Sequence, residues 1–157
     1  MARKRGSPGK PYGGPWFSRF RDVLGFVGRA QRSFPRLTTR KVAGGFEVRF
    51  RAELPGDYEP RNVTILFSKA LPHTPFITAD GPTESKHRNG DGSLCLWYPW
   101  DDSSQRWEFE DGLADLVGLT ILHLFREAWW RETGEWLGPE APHGVPKDAQ
   151  SPLADAS

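Results

Sequence analysis

A single thiol lies close to two other side chains that could assist a nucleophile. Cys95 is the only cysteine of the chain, and the carboxamide of Asn89 and the imidazole of His87 precede it by six and eight residues. A thiolate attacks carbonyl carbon, and a carboxamide can donate a hydrogen bond to the oxyanion that forms on the acyl group. These residue types are compatible with acyl transfer through sulfur, but a lone cysteine is more often a small buried core residue than a nucleophile.

Three more polar side chains could come near this thiol. Asp101 and Asp102 follow Cys95 closely, and His143 follows a segment bounded by glycine and proline that could fold back onto the loop. An imidazole that approaches a thiol can act as its base or acid. A Cys–His hydrolase that uses His87 or His143 is therefore an alternative to a transferase.

The net charge of +1 conceals a division of charge along the chain. Residues 1–51 carry 13 basic and 2 acidic side chains, whereas residues 52–157 carry 8 basic and 18 acidic ones. Such asymmetry indicates a partner or a tail rather than a fold. Nucleic acid, an acidic membrane surface and an acidic protein are all compatible with the basic end.

Composition and motifs disfavour several classes of protein. One cysteine excludes an internal disulfide framework, and four scattered histidines argue against a metal site. No apolar run approaches the ~20 residues of a membrane span, and the basic start is not followed by the apolar core of a signal peptide. The sequence has neither a dinucleotide-binding glycine motif nor a P-loop. We therefore expect a cytoplasmic protein with no cofactor, no metal and no membrane partner.

Hydrophobic periodicity predicts an α+β fold in one domain. A helix opens the domain, an antiparallel meander of four strands follows, and a long loop leads to a second, longer helix. A loop of that length inside a compact domain is often functional, and this one contains Cys95. The predicted helices span 15–32 and 110–132, the strands 37–42, 46–54, 62–68 and 76–79, and the loop 81–107.

The predicted domain covers residues 15–143, between a basic arm (1–14) and a tail (144–157) that are both expected to be disordered. The first helix has an apolar stripe, and its arginines lie mostly outside that stripe. The arginines form either a solvated face or a docking face for an acidic partner. The stripe comprises Trp16, Phe17, Phe20, Val23, Leu24 and Val27, and the arginines are Arg19, Arg21, Arg29 and Arg32.

The order of elements and the loop together resemble the ubiquitin-conjugating enzymes. In that family a helix, a four-stranded meander and a loop with a His-Pro-Asn motif precede a Gly-Ser-Ile-Cys-Leu-like active-site segment, a tryptophan and a long helix. Here His87-Arg88-Asn89 is similar to the first motif, Gly92-Ser93-Leu94-Cys95-Leu96 to the second, and Trp107 to the later tryptophan. The similarity covers roughly residues 15–137.

Three departures make the chain more similar to divergent bacterial members of the family. Arg88 replaces the usual proline, the interval from Asn89 to Cys95 is shorter, and the aromatic segment Trp97-Tyr98-Pro99-Trp100 follows the cysteine. Such members occur in antiphage defence operons, beside activating enzymes, ubiquitin-like proteins or nucleotide-signalling enzymes. The resemblance therefore implies a UBC-like fold and a role in antiviral defence.

The resemblance also implies roles for the side chains near the thiol. Cys95 would carry a protein C-terminal acyl group as a thioester and pass it to a lysine amine. Asn89 would steady the loop and the oxyanion, or only the loop, and His87 would mainly bond the loop backbone, with general base as the alternative. Asp101 or Asp102 would orient or deprotonate the lysine, and the sequence does not choose between them.

The implied partners are a ubiquitin-like protein, an activating enzyme that works in trans and a lysine-bearing target. In the family the first helix docks the activating enzyme, so Arg19, Arg21, Arg29 and Arg32 become the expected contact. A catalytically inactive module that keeps the fold and binds proteins is a second alternative. Nucleic acid is a minor one, because no recognition motif supports it beyond charge.

Overall fold

The computed structural model describes residues 13–98 and 100–139, and its two helices and four-stranded sheet confirm the predicted α+β architecture. Most of the predicted arm, His143 and the predicted tail lie outside the described residues. The helices are α1 (Phe20–Ser33) and α2 (Leu113–Thr133), and the strands are β1 (Thr38–Val42), β2 (Gly45–Ala52), β3 (Arg61–Ser68) and β4 (Phe76–Ala79).

The strands form one antiparallel sheet in chain order, as a meander requires. Alternation in β2 buries Phe46, Val48 and Phe50 and leaves Arg49 and Arg51 exposed, because successive side chains of a strand point to opposite faces. Val48 pairs with Ile65 of β3, which pairs in turn with Ile77 of β4. One face of the sheet is therefore apolar and can receive the helices.

The buried side chains of both helices and of the sheet form a single core, and α1 packs against α2. Trp16 connects the segment before α1 to this core. Its ring lies 5.0 Å from that of Phe46 and 4.7 Å from that of Phe26, and its Nε1 donates a hydrogen bond of 2.6 Å to the carbonyl of Pro72. A buried tryptophan is stabilised where its N–H finds such a partner.

The first helix differs from the sequence prediction in its start and in its buried face. Trp16–Ser18 form a separate 3₁₀ turn, and α1 begins only at Phe20 because the backbone of Arg19 is extended. Phe20 and Leu24 were predicted in the apolar stripe, but they are 75% and 55% exposed. The buried side of α1 instead comprises Phe26, Val27 and Ala30, with Val23 half-buried.

The second helix is fixed at both ends by specific hydrogen bonds. At its start, Trp107 Nε1 donates to the carbonyl of Gly112 over 2.8 Å. A 3₁₀ turn (Phe109–Asp111) precedes α2, and there the side chains of Glu108 and Asp111 each accept from the other residue's backbone N–H. At its end, Gly134 adopts the left-handed conformation and its N–H donates to the Trp130 carbonyl. Within the described residues, no helix combines the length and the apolar character needed to cross a bilayer.

We expect Gly134→Ala to lower the free energy of unfolding by about 1–2 kcal/mol, because a side chain disfavours the left-handed backbone. The φ angle of Gly134 is +77°. Gly118→Ala is the matched control, because Gly118 lies inside α2 with open space around its Cα. That change should stabilise the protein by about 0.5–1 kcal/mol. Urea unfolding measures the free energy of unfolding of each variant. If both variants are stabilised, or both destabilised, the expectation is wrong.

Candidate active site

The loop that carries the thiol contains a tight hairpin. Its turn covers Asn89 to Gly92, where the Gly92 N–H donates to the Asn89 carbonyl over 2.9 Å and Gly92 has a φ of +84°. The Asn89 N–H donates to the Ser93 carbonyl, and the Cys95 N–H donates to the His87 carbonyl over 3.1 Å. The backbone from Ser93 to Cys95 is therefore held by a short two-stranded ladder, which the absence of periodicity in the sequence did not reveal.

The sheet holds this hairpin from one side. The N–H of Leu94 donates to the carbonyl of Ile77 in β4 over 2.9 Å, and the side chain of Leu94 is buried in the core. The residue directly before the thiol is thus attached to the edge of the sheet by both its backbone and its side chain.

The carboxamide of Asn89 stabilises the turn of the hairpin through a side-chain hydrogen bond. The turn places Asn89 opposite Ser93 and His87 opposite Cys95. Asn89 Nδ2 donates to the Ser93 hydroxyl over 2.9 Å, and that hydroxyl donates to Asp91 Oδ1 over 2.6 Å. The hydroxyl and the backbone N–H of Ser93 both donate to Asp91 and lower the pKa of its carboxyl. Asn89 therefore steadies the loop, and the structure does not place it among the residues that line the cleft beside the thiol.

Arg88, which stands where the related family has proline, joins the hairpin to α2. Its Nε and Nη2 donate to the two carboxylate oxygens of Glu127, each over 2.8 Å, and its Nη1 donates to the carbonyl of Gly92 over 3.0 Å. Burial alone would raise the pKa of Glu127, but the Arg88 guanidinium and the nearby His123 ring outweigh it and bring the pKa to about 2. The carboxylate is thus charged at neutral pH.

Cys95 lies half-buried at a cleft of about 410 Å³ between the loop and α2. Its Sγ lies 3.5 Å from the carbonyl oxygen of Trp97. Burial, and to a smaller extent the charge of Asp101, raise the pKa of the thiol, so the protonated form predominates at neutral pH. The cleft is lined by His87, Cys95, Leu96, Trp97, Tyr98, Asp101, Gln105, Leu119, His123, Arg126, Trp136 and Pro139.

The two aspartates between which the sequence did not choose differ in their position relative to the cleft. Asp101 lines the cleft, and its Oδ2 accepts a hydrogen bond of 3.0 Å from the Tyr98 N–H. Asp102 is exposed, does not line the cleft, and accepts a backbone hydrogen bond from Gln105. Of the two carboxylates, that of Asp101 is therefore the one placed to act on a group that enters the cleft.

We expect Asp101→Asn to lower the pKa of the Cys95 thiol, because the change removes a negative charge that disfavours the thiolate. Alkylation by iodoacetamide at neutral pH should become about twofold faster, since a partly exposed charge contributes well under 1 kcal/mol. Asp102→Asn makes the same change of charge one residue away and should leave the alkylation rate nearly unchanged. Equal acceleration in both variants would mean that only net charge matters.

Two histidines line the cleft, and the sequence drew attention to only one of them. His87 is buried, with its ring 4.2 Å from that of Trp136 and 6.5 Å from that of His123. His123 lies on α2 and is 4% exposed. Its Nε2 lies 3.3 Å from Oε1 of Glu127, one helical turn further along.

Three further residues lie at or beside the cleft and were not identified from the sequence: Glu127, Trp136 and Arg126. His123 and Glu127 are four residues apart, which places them on one side of a helix. This spacing was the one feature of the sequence that could have indicated their contact. His143, the other candidate base, lies outside the described residues. No group of three or more His, Cys, Asp or Glu side chains converges to hold a metal within the part of the chain that the structure describes.

The four arginines predicted to bind a partner are exposed on or beside α1. Arg19 pairs with Asp22 over 2.7 Å, and Arg29 donates to the carbonyl of Gly25. The exposed Phe20 and Leu24 occupy the same helix. The surface of α1 therefore combines basic and apolar side chains, which the sequence prediction had assigned to different faces.

The family model for the Type II CBASS E2 protein matches residues 31–144. This segment contains the whole sheet, the hairpin with Cys95 and all of α2. Searches of curated proteins and of solved structures gave no significant match. A family match over most of the chain, on an α+β fold with the helix and sheet order of the UBC fold, shows that this protein belongs to the Type II CBASS E2 family, the E2-like proteins of antiphage CBASS operons.

Proposed function

We propose that this protein transfers an acyl group between proteins during antiphage defence. In this proposal Cys95 accepts the C-terminal acyl group of a ubiquitin-like protein, or of another protein, and delivers it to a lysine amine. The observation that carries the proposal is the position of the chain's single thiol, at the edge of a cleft and on a hairpin attached to both the sheet and α2. Membership of an E2-like family supports a transferase.

The chemistry requires two acyl exchanges at one sulfur. An activating enzyme presents the acyl group as a thioester; the Cys95 thiolate attacks its carbonyl carbon, a new C–S bond forms, and the thiolate of the activating enzyme leaves. The neutral amine of lysine then attacks the same carbon, its extra proton passes to water or a base, and the Cys95 thiolate leaves as the amide forms.

The raised pKa of Cys95 is compatible with this carrier role. A thiolate of higher pKa is the stronger nucleophile, but it is also the slower leaving group. A thioester on Cys95 is therefore expected to be comparatively persistent until an acceptor amine is placed in the cleft. The low thiolate fraction also limits reaction with unselected electrophiles.

The side chains near the cleft would have the following roles. Asp101 would attract and orient the lysine ammonium, and burial of that amine between protein surfaces would lower its pKa towards the reactive neutral form. His87 and Asn89 would hold the hairpin. Asp102 and His143 stay secondary candidates for assisting the amine. Variants of both can be tested by the rate at which the thioester on Cys95 is discharged to lysine.

The surface of α1 would receive the activating enzyme, in the bacterial cytoplasm. Arg19, Arg21, Arg29 and Arg32 would steer an acidic partner, and the exposed Phe20 and Leu24 would be buried against it. Charge steering raises the association rate and weakens with salt, whereas apolar contact slows dissociation. Slower loading at high salt, with the discharge rate unchanged, would support this assignment.

The test combines the protein with the activating enzyme and carrier of its own operon and with ATP. A thiol-sensitive adduct on a non-reducing gel, present with ATP and lost in Cys95→Ala, is the expected result. If partners bind and no adduct forms under any condition, the protein is a binding module that keeps the fold without the chemistry. An adduct that forms without the activating enzyme would contradict the requirement for activation in trans.

A Cys–His hydrolase is the second candidate, because two histidines line the same cleft as Cys95. The raised pKa of the thiol argues against it, since such hydrolases rely on a cysteine whose pKa is depressed by a neighbouring imidazolium. Cleavage of a purified conjugate in the absence of ATP, abolished by Cys95→Ala and by replacing His87 or His123, would favour the hydrolase.

A further inference from the structure

Arg88 and Glu127 form an ion pair away from solvent, between the hairpin and α2. Their side chains are 6% and 0% exposed, and two nitrogens of one meet two oxygens of the other at 2.8 Å. A bidentate pair of this kind fixes orientation as well as distance, because the planes of guanidinium and carboxylate must match.

The same group of side chains holds the loop at three backbone positions. Arg88 donates to the carbonyls of Gly92, within the turn, and of Pro82, before the hairpin. Arg131, one helical turn after Glu127, lies 3.6 Å from its carboxylate and donates to the carbonyl of Glu84 over 3.0 Å. We call Arg88, Glu127 and Arg131 the Glu127 clamp.

The clamp acts on the backbone that carries the thiol. Arg88 bridges to Leu94 across the hairpin, and these two residues directly adjoin His87 and Cys95, whose backbones are hydrogen-bonded to each other. Loss of the Arg88 side-chain hydrogen bonds to Gly92 and Pro82 would therefore remove a support of the backbone ladder next to Cys95. The related family has a stiff proline at this position, whereas here the stiffness comes from a partner on α2.

We propose that the Glu127 clamp positions Cys95 for acyl transfer, with Arg88 and Glu127 as positioning residues that touch neither the acyl group nor the amine. The inference rests on the proposed thioester chemistry. Since a misplacement of about 1 Å can cost as much as 100-fold in rate, loosening the clamp should slow transfer in a protein that remains folded.

The discriminating variant is Arg88→Met/Glu127→Leu, which replaces both members of the pair by apolar side chains of similar size. Such replacements of a buried ion pair are often neutral for stability, but they remove the bonds to Gly92 and Pro82. We expect a normal melting temperature, an unchanged KM for the loaded activating enzyme, and a rate of thioester discharge to lysine lowered about 10- to 100-fold.

The matched control is Arg51→Met/Glu53→Leu, an exposed Arg–Glu pair on the sheet that the clamp does not contact. Its discharge rate should equal that of the unmodified protein. A folded Arg88→Met/Glu127→Leu variant that discharges at the normal rate would overturn the proposal. If this variant does not fold, Arg88→Lys, which keeps the charge but loses the bidentate geometry, should show the same selective loss in discharge rate.

Hydrogen exchange separates failure of this inference from failure of the proposed function. The amide of Cys95, bonded to the His87 carbonyl, should exchange faster in the double variant, while the core amide of Ile65 keeps its protection. If the unmodified protein forms no adduct but Cys95 exchange changes in this way, the clamp is right and the proposed chemistry is wrong. Unchanged exchange at Cys95 would reject the clamp itself.

Discussion

Cys95→Ser should convert the thiol-sensitive adduct into a slowly formed one that survives reducing agent. A serine hydroxyl attacks far more slowly than a thiolate without an adjacent base, and the product is an oxyester, which thiols do not readily exchange. Loss of the nucleophile should lower the rate of transfer to lysine by about 10³-fold or more. We would measure loading and discharge separately, with the carrier and activating enzyme in excess.

The chain offers a clean control because Cys95 is its only cysteine. Cys95→Ala should give neither form of adduct, and both variants should melt close to the unmodified protein, since the change is small and the side chain is only half-buried. A thiol-sensitive adduct that persists in Cys95→Ala would place the acyl group on another molecule and remove this protein from the transfer.

Local patterns were sufficient to predict the fold. The alternation of Phe46, Val48 and Phe50 defined one face of β2, and the predicted strands match the observed ones to within about two residues. The start of α1 was harder, because the aromatic side chains before Arg19 fit a helical stripe while their backbone forms a separate turn. Phe20 and Leu24 also fit that stripe, and only the packing of α1 shows that they face outwards.

The candidate site depends on contacts that no local pattern contains. Arg88 and Glu127 lie 39 residues apart, so neither residue alone indicates a buried pair. The sequence identified the departure of Arg88 from the related motif, but the reason for it lies on α2. For Asn89 the sequence left open whether the carboxamide supports the oxyanion as well as the loop, and only the folded turn shows that its amide donates to Ser93.

The division of charge along the chain has a structural counterpart. The basic part of the sequence contributes α1, where Arg21 and Arg32 are exposed beside Phe20 and Leu24. The acidic part contributes the cleft, where Asp101 lies near the thiol. In the proposed cycle an activating enzyme meets the basic surface of α1 and a lysine-bearing target meets the cleft, so salt should slow loading and leave discharge unchanged.

Glu127→Ala should lower the free energy of unfolding by about 3–5 kcal/mol, because it leaves the Arg88 guanidinium buried without a counter-charge. The free energy of unfolding of this variant should also vary less with pH in the acid range than that of the unmodified protein. The pKa of Glu127 is about 2 in the folded protein and about 4.3 in an unfolded chain, so its contribution is complete above about pH 5 and is lost as the pH falls towards 2. That contribution corresponds to roughly 3 kcal/mol.

Urea unfolding between about pH 5 and pH 2 tests both effects, with Glu127→Gln as the variant that keeps the size of the side chain but cannot ionise. Its stability should change less over this range than that of the unmodified protein. Glu53→Ala, which removes an exposed carboxylate paired with Arg51, should cost less than about 1 kcal/mol. Adding Arg88→Met to Glu127→Ala should restore part of the loss, because the unpaired charge is then removed. Equal acid dependence in Glu127→Gln and the unmodified protein would show that Arg88 does not hold this carboxylate ionised.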